Sequence, residues 1–119
     1  LHLFAFSKLY SNFEMKILLK RTIDYYMQSY PDASNALFNW NYEFALHQFS
    51  NFNEIKAVYR SASIVGNNRV VFNIKGNDYR LIVSMNFSQG TCYIIWFGNH
   101  KSYDLIDAER ISFDTQIIK

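Results

Sequence analysis

Residues Gly66 to Val83, which read GNNRVVFNIKGNDYRLIV, contain the strand pattern from which the fold class follows. From Arg69 to Lys75 apolar side chains recur at every second position, which is the pattern of a half-buried β-strand. Gly76-Asn77-Asp78 has the composition of a tight turn. The alternation resumes from Tyr79 to Phe87, so the stretch predicts two antiparallel strands joined by a hairpin. Their regularly spaced apolar residues are Val70, Phe72, Ile74, Tyr79, Leu81, Val83, Met85 and Phe87.

The elements that precede this hairpin are a short strand and several helices. Met15 to Leu19 reads as a first strand, and Lys20 to Tyr30 has apolar residues at helical spacing. Pro31 ends that helix, because the residue before a proline is displaced from helical geometry. Asp32 or Ser34 is expected to cap a second helix. The apolar stripe of the second helix is Leu37, Trp40, Phe44 and His47, and a short helical turn with Ile55, Val58 and Tyr59 follows.

A third hairpin strand and a last helix complete the chain. Thr91 to Phe97 is apolar on both faces, which predicts a strand covered on both sides. Asn99 is expected to cap a helix whose side carries Tyr103, Ile106 and Arg110. The predicted order is β-α-α-β-β-β-α, an α+β fold with an antiparallel sheet packed against helices. We expect the domain to comprise residues 15–119, and residues 1–14 to be an upstream or leader segment outside the fold.

Composition limits the class of protein. The 119 residues suit one domain, and 50% hydrophobic residues are enough to build a core. The net charge of +2 permits a nucleic-acid partner without requiring one. The single cysteine, Cys92, excludes an internal disulfide, and the histidines lack zinc-ligand spacing. No apolar run approaches the roughly 20 residues that span a bilayer, so we expect a cytoplasmic protein without a membrane partner, metal or cofactor.

Two groups of polar residues are candidates for chemistry. If Asn77-Asp78 is a two-residue turn, Lys75 lies directly opposite Arg80, and Arg69 and Asn73 continue that face. Two cations in that relation destabilise a sheet unless an anion lies between them. The alternative is that both side chains extend into water, where their repulsion is screened.

The second group is His100, Tyr103 and Asp104. Spacings of three and four place these residues within one helical turn. Histidine can transfer a proton near neutral pH, tyrosine can donate a hydrogen bond and aspartate can orient the histidine. The alternative is structural, because an aspartate near a helix N-terminus is favoured by the helix dipole.

The same residues resemble the signature of the HigB-type toxins of the RelE superfamily. Residues 66–83 are similar to one block of that family, and Gly98-Asn99-His100-Lys101-Ser102-Tyr103-Asp104 with Ile106-Asp107 is similar to another. Met15 to Ala33 resembles the family's start, so the resemblance covers essentially residues 15–119. Two positions depart from the family pattern. Asn99 replaces the usual threonine, and Ile95 occupies a place that often holds arginine or lysine.

The resemblance implies a ribosome-associated, metal-independent endoribonuclease that cleaves messenger RNA and thereby inhibits translation. It makes Arg80, Lys75, His100 and Tyr103 the catalytic candidates, with Arg80 on the scissile phosphate. The RNA-binding candidates that we infer beside them are Arg69, Asn73, Asn77, Asn99 and Lys101. The implied partners are a helix-turn-helix antitoxin of the HigA type, messenger RNA and the ribosome.

Two other functions remain open at this point. The RelE superfamily also contains gyrase poisons, which act by binding a protein and do not cut RNA. The chain could instead be a degenerate, non-catalytic module that binds RNA or an antitoxin. The absence of a cation at Ile95 is the sequence feature that favours this last alternative.

Overall fold

Five strands form one sheet in the computed structural model of the chain, which describes residues 16–18 and 20–113. The spatial order is β1-β5-β4-β3-β2; β1 pairs with β5 in parallel, and the other neighbours are antiparallel. The predicted α+β class and the antiparallel hairpins are confirmed, and β2 is an addition to the predicted order. The strands are β1 (Lys16–Leu18), β2 (Ser63–Val65), β3 (Arg69–Ile74), β4 (Tyr79–Asn86) and β5 (Thr91–Asn99). The predicted leader segment lies outside the described residues.

The helices follow the predicted order but not all of the predicted ends. A 3₁₀ turn, Pro31–Ala33, separates the first two helices. The N-cap of the second helix is Ala33, which has no capping side chain, so the expectation that Asp32 or Ser34 caps this helix is wrong. The Asp32 carboxylate instead accepts a hydrogen bond from Tyr79. The helices are α1 (Lys20–Ser29), α2 (Ser34–Leu46), α3 (Phe52–Val58) and α4 (His100–Tyr103).

One face of the sheet, which we call the helix-side face, holds the main core. Alternate residues of β3, β4 and β5 point to this side, as the period of two requires, and pack against α1–α3. The core is rich in aromatic rings: Trp40 stacks on Phe44 with ring centroids 4.9 Å apart, and Phe44 meets Phe72 edge to face at 5.4 Å. Fully buried members are Leu37, Phe44, Ile55, Val70, Leu81, Val83, Cys92 and Ile94.

The opposite face is covered by residues 104–113, which we call the strap. Val71, Ile82 and Ile95 are buried on this strap-side face beneath Ile106, Ala108 and Ile111. The predicted long last helix is therefore wrong, because α4 ends at Tyr103 and the chain continues in turns. A continuous helix would bury apolar residues that are three or four positions apart. The strap instead packs Ile106, Ala108 and Ile111 on the sheet, and the first two of these are only two positions apart.

A β-bulge at Ile95 sets which residues of β5 lie on the strap-side face. Ile82 pairs with Trp96 while Val83 pairs with Ile94, so Ile95 is an extra residue. The extra residue places both Ile95 and Trp96 on the strap side. The bulge also fixes the register of the end of β5, where Gly98 lies opposite Arg80.

Candidate functional site

Arg80 lies in a row of three residues across the sheet. Asn73 of β3 pairs with Arg80 on one side, and Gly98 of β5 pairs with it on the other. Arg80 alternates with the buried Tyr79 and Leu81, so its side chain is on the strap-side face, beside the ring of Tyr103. It is 8% exposed. A charged side chain is rarely buried to this extent unless something pairs with it.

The hairpin loop holds the Arg80 guanidinium in place. Nη2 donates to Asn77 Oδ1 at 2.7 Å, and Nη1 donates to the carbonyls of Asn77 at 3.1 Å and Tyr79 at 3.0 Å. The guanidinium carbon is 5.9 Å from the centre of the Tyr103 ring. Hydrogen bonds and a ring contact therefore fix the direction in which the guanidinium points.

Arg80 has no anionic partner in the part of the chain that the structure describes. None of the ion pairs in residues 20–113 includes it. Three hydrogen bonds leave at least two of the five guanidinium N–H groups unused. No nitrogen of Arg80 is among the buried side-chain atoms that lack a partner. Nε makes none of these hydrogen bonds, so this nitrogen is accessible to solvent, and the immobilised guanidinium can receive an anion from that side.

Lys75 does not lie opposite Arg80, so that prediction is wrong. The loop spans residues 75–78, with Ile74 paired to Tyr79, and Asn73 takes the position across from Arg80. Lys75 and Gly76 turn the chain with φ angles of +55° and +63°, and the Asp78 amide donates to the Lys75 carbonyl. The register differs by two residues from the predicted one, which preserves the face of each strand residue but moves Lys75 into the loop.

Lys75 belongs to a polar cluster on the helix side of the loop. Its Nζ is 3.4 Å from Asp32 Oδ2, and the Tyr79 hydroxyl is 2.7 Å from both Asp32 carboxylate oxygens. The Tyr79 hydrogen bond, with help from Lys75, lowers the pKa of Asp32. The same hydrogen bond, with burial, raises the pKa of Tyr79 to about 12. The cluster ties the hairpin loop to the 3₁₀ turn and so supports the loop that holds Arg80.

His100 and Asp104 are brought together by α4. His100 Nε2 is 3.5 Å from Asp104 Oδ2, and the ring nitrogen Nδ1 is buried without a hydrogen-bond partner. The helix begins as predicted, because Asn99 Oδ1 accepts from the Ser102 amide at 2.8 Å. The His100 amide donates to the Asp78 carbonyl at 2.9 Å, which joins α4 to the hairpin loop.

An open depression lies where the hairpin loop, the 3₁₀ turn and α4 meet. Its volume is about 580 Å³, and its lining residues are Asp32, Asn77, Asp78, Tyr79, Asn99, His100 and Lys101. Asn77 connects it to Arg80, because the same residue lines the depression and accepts the guanidinium hydrogen bonds. A second depression of about 350 Å³, lined by residues 48–50 and 87–90, has no titratable side chain.

The predicted RNA-binding residues occupy different environments. Arg69, 9% exposed, donates from Nη1 to the carbonyls of Ala108 at 2.9 Å and Ile111 at 2.7 Å, so its guanidinium fastens the strap. Asn73 is half-buried beside Arg80. Lys101 is exposed on the wall of the depression. RNA binding by these residues, as by Asn77 and Asn99, stays a prediction.

Trp96 is a site residue that sequence reasoning missed. It is half-buried, and its ring centroid is 6.3 Å from that of Tyr103. A Cβ atom added to Gly98 would lie 2.6 Å from Cη2 and 2.7 Å from Cζ2 of the indole, so the ring covers this glycine. Residues two apart on a strand share a face, so the sequence indicates that Trp96 and Gly98 lie on the same side of the sheet. The alternation of apolar residues does not reveal the bulge at Ile95, which determines which side that is.

Comparison with known proteins identifies one family. The HigB toxin family, described as the RelE-like toxic component of a toxin–antitoxin system, matches residues 33–106, more than half of the chain. No curated protein matches the chain. None of the helices in the described ranges has the length and apolar character needed to cross a membrane. Within the same residues, no three His, Cys, Asp or Glu side chains are grouped so as to hold a metal ion.

Proposed function

The chain belongs to the HigB family of RelE-like toxins, the toxic components of toxin–antitoxin systems, and we propose that it is an endoribonuclease that cleaves messenger RNA. In this proposal cleavage needs no metal, takes place on the translating ribosome and stops translation. The protein is a toxin and therefore has an antitoxin partner. We further propose that this antitoxin is a helix-turn-helix protein of the HigA type.

The observation that carries the proposal is the state of Arg80. The side chain is buried, fixed by Asn77 and Tyr103, and without an anionic partner in the described residues. A buried charge without a partner is costly, so a site that retains one is suited to binding the opposite charge. Guanidinium groups bind phosphates through paired N–H donors. The scissile phosphate of RNA is an anion of the required shape and charge.

The proposed reaction is an attack by the neighbouring 2′-hydroxyl group on this phosphate. The 2′-oxygen loses its proton and bonds to phosphorus while the bond from phosphorus to the 5′-oxygen breaks. The leaving 5′-oxygen takes up a proton, which gives a 2′,3′-cyclic phosphate and a 5′-hydroxyl end. Arg80 stabilises the negative charge that develops on the non-bridging oxygens of the phosphate, and such electrostatic stabilisation is usually the largest single contribution. The requirement for a 2′-hydroxyl restricts the reaction to RNA.

His100 is the proposed group for proton transfer, and Tyr103 assists it. Asp104 Oδ2, 3.5 Å from Nε2, can orient the imidazole ring for this role. Tyr103, beside the guanidinium, can donate a hydrogen bond to a phosphate held there. Lys75 remains a candidate for RNA contact, although its ammonium group is engaged with Asp32.

The proposal is tested by inducing the chain in a bacterial host and mapping new 5′-hydroxyl ends in the transcripts. Arg80→Met removes the cation at nearly constant volume, and Arg60→Met removes the same charge from an exposed position outside the site. We expect the wild-type chain and Arg60→Met to arrest growth and produce new ends within translated regions. Arg80→Met should do neither while remaining folded.

Other outcomes would support the alternatives. Growth arrest with intact transcripts would contradict the nuclease proposal and favour a gyrase-type poison. A folded, expressed chain that causes no arrest would favour a non-catalytic binding module. The observation that favours a non-catalytic binding module is the position of Ile95. The family resemblance suggests a cation at this position, but the Ile95 side chain packs against Val71 and Ile82.

A further inference from the structure

We propose that Trp96, together with Tyr103, is the surface on which a base next to the scissile phosphate stacks. This inference rests on the proposed endoribonuclease function and adds to it the residue that holds the nucleotide in place. The elements involved are the end of β5, the first turn of α4 and Arg80 of β4.

The position of the indole is set by the backbone around it. The bulge at Ile95 places Trp96 on the strap-side face, the face that carries Arg80. Gly98 lies directly opposite Arg80, and the indole covers Gly98 because that residue has no Cβ to keep the ring away. The aromatic ring is therefore next to the strand position that holds the guanidinium.

Tyr103 joins the indole to the cation. Its ring centre is 6.3 Å from that of Trp96 and 5.9 Å from the guanidinium carbon of Arg80. The three side chains are neighbours in a row in which a cation is followed by two aromatic rings. A nucleotide presents the matching arrangement, because its charged phosphate is linked through the sugar to a flat base.

The exposure of Trp96 distinguishes it from the core residues of the same face. Val71 and Ile82 are at most 2% exposed, whereas Trp96 is only partly buried. The other tryptophan, Trp40, is 5% exposed and stacks on Phe44 in the main core. Aromatic rings that remain accessible beside a cation are the usual means by which proteins hold single-stranded RNA.

The test combines a protein change with a substrate change. The first substrate is an RNA that the wild-type chain cleaves, either free or on a programmed ribosome. The other two are abasic copies of this RNA: one lacks the base on the 5′ side of the mapped cut, the other lacks the base on the 3′ side, and both retain the ribose. The variants are Trp96→Leu, Trp96→Phe and the control Tyr93→Leu, which removes an exposed ring from the same strand away from Arg80. Cleavage rates are measured in single turnover with the enzyme in excess.

Stacking predicts that the two kinds of change are not additive. We expect Trp96→Leu to slow cleavage of the intact RNA by about 5- to 150-fold, the range for loss of one stacked base. One of the abasic RNAs should be cleaved slowly by the wild-type chain, and Trp96→Leu should slow its cleavage no further. Tyr93→Leu should cleave all three substrates at the wild-type rates.

Several results would overturn the inference while leaving the nuclease proposal intact. The first is that Trp96→Leu cleaves the intact RNA at the wild-type rate. The second is that the wild-type chain cleaves both abasic RNAs as fast as the intact RNA. The third is that Trp96→Leu slows cleavage of intact and abasic RNA equally, which would indicate a structural role. If Trp96→Leu does not fold, Trp96→Phe decides: the penalty for the missing base should shrink with the smaller ring, and an unchanged penalty contradicts stacking. If the wild-type chain cleaves no RNA in either setting, the proposed function fails and the inference fails with it.

Discussion

Replacing Arg80 by methionine should make the protein more stable while it removes the activity. The side chain is 8% exposed and has no ion-pair partner within residues 20–113. Replacing a buried ion pair by apolar side chains of similar volume is neutral or stabilises by about 1–4 kcal/mol, and we expect removal of an unpaired buried charge to act in the same direction. Against this gain stand three lost hydrogen bonds, although Asn77, which accepts two of them, is exposed and can bond to water instead.

Arg69 provides a matched comparison because it is buried to the same degree, 9% exposed. Its guanidinium donates to two carbonyls of the strap, at Ala108 and Ile111. Each hydrogen bond to a charged group contributes about 1.5–3 kcal/mol to stability. The stabilisation gained by removing the buried charge of Arg69 offsets only part of the loss of these two hydrogen bonds. We expect Arg80→Met to raise the free energy of unfolding by about 1 kcal/mol, and Arg69→Met to lower it by about 2–3 kcal/mol.

The assay is thermal and urea unfolding of the wild-type chain and both variants, followed by circular dichroism. For a domain of this size 1 kcal/mol corresponds to about 4–8 °C in Tm. The two variants should therefore move Tm in opposite directions. If Arg80→Met lowers Tm as much as Arg69→Met does, Arg80 is a structural residue like Arg69, and the argument that its charge awaits a phosphate is refuted.

Three further predictions concern other parts of the structure. Cys92 is fully buried and burial raises its pKa to about 12, so a thiol reagent should react at the rate of unfolding; reaction at the rate of a free thiol would contradict this burial. The hydrogen bond from Tyr79 lowers the pKa of Asp32, so the carboxylate stabilises the fold above its ordinary pKa of about 4 and loses this effect as the pH falls through the lowered value. Asp32→Asn should therefore reduce stability at pH 7, and this reduction should shrink as the pH falls below about 4 in urea titrations; a loss that is the same at every pH would exclude the ionised carboxylate as the cause. Gly98→Ala places a methyl group 2.6 Å from the Trp96 ring, which should cost about 1–3 kcal/mol and shift the tryptophan fluorescence; unchanged Tm and emission would show that the ring does not lie there.

The two central strands, β3 and β4, were predictable because their signals are local. Alternation from Arg69 to Ile74 and from Tyr79 to Asn86 gave both strands and the face of each residue. The strap was not predictable in the same way. Tyr103, Ile106 and Arg110 are spaced as in a helix, but the chain turns so that Ile106, Ala108 and Ile111 pack on the sheet, since short helices depend on packing rather than on propensity.

The candidate site was predictable in its residue types but not in its pairings. The four-residue loop contains Gly76-Asn77-Asp78, which fits more than one turn register, and a shift of two residues leaves every strand face unchanged. Only the position of Lys75 distinguishes the two registers. In the observed register Lys75 has a left-handed φ and its side chain lies beside Asp32. The residues paired with Arg80 across the sheet are therefore Asn73 and Gly98, and neither is a cation.

These placements concentrate the proposed phosphate chemistry on a single arginine. Of the other cations predicted for this face, Arg69 is used by the strap and Lys75 by Asp32. The position at which the family often has a cation holds Ile95, which is buried in the strap-side core. Neither Arg69 nor Lys75 is thus positioned, within the described residues, to replace Arg80. Under the proposed function, loss of Arg80 should therefore abolish activity rather than reduce it, whereas a site with shared charges would lose activity in steps.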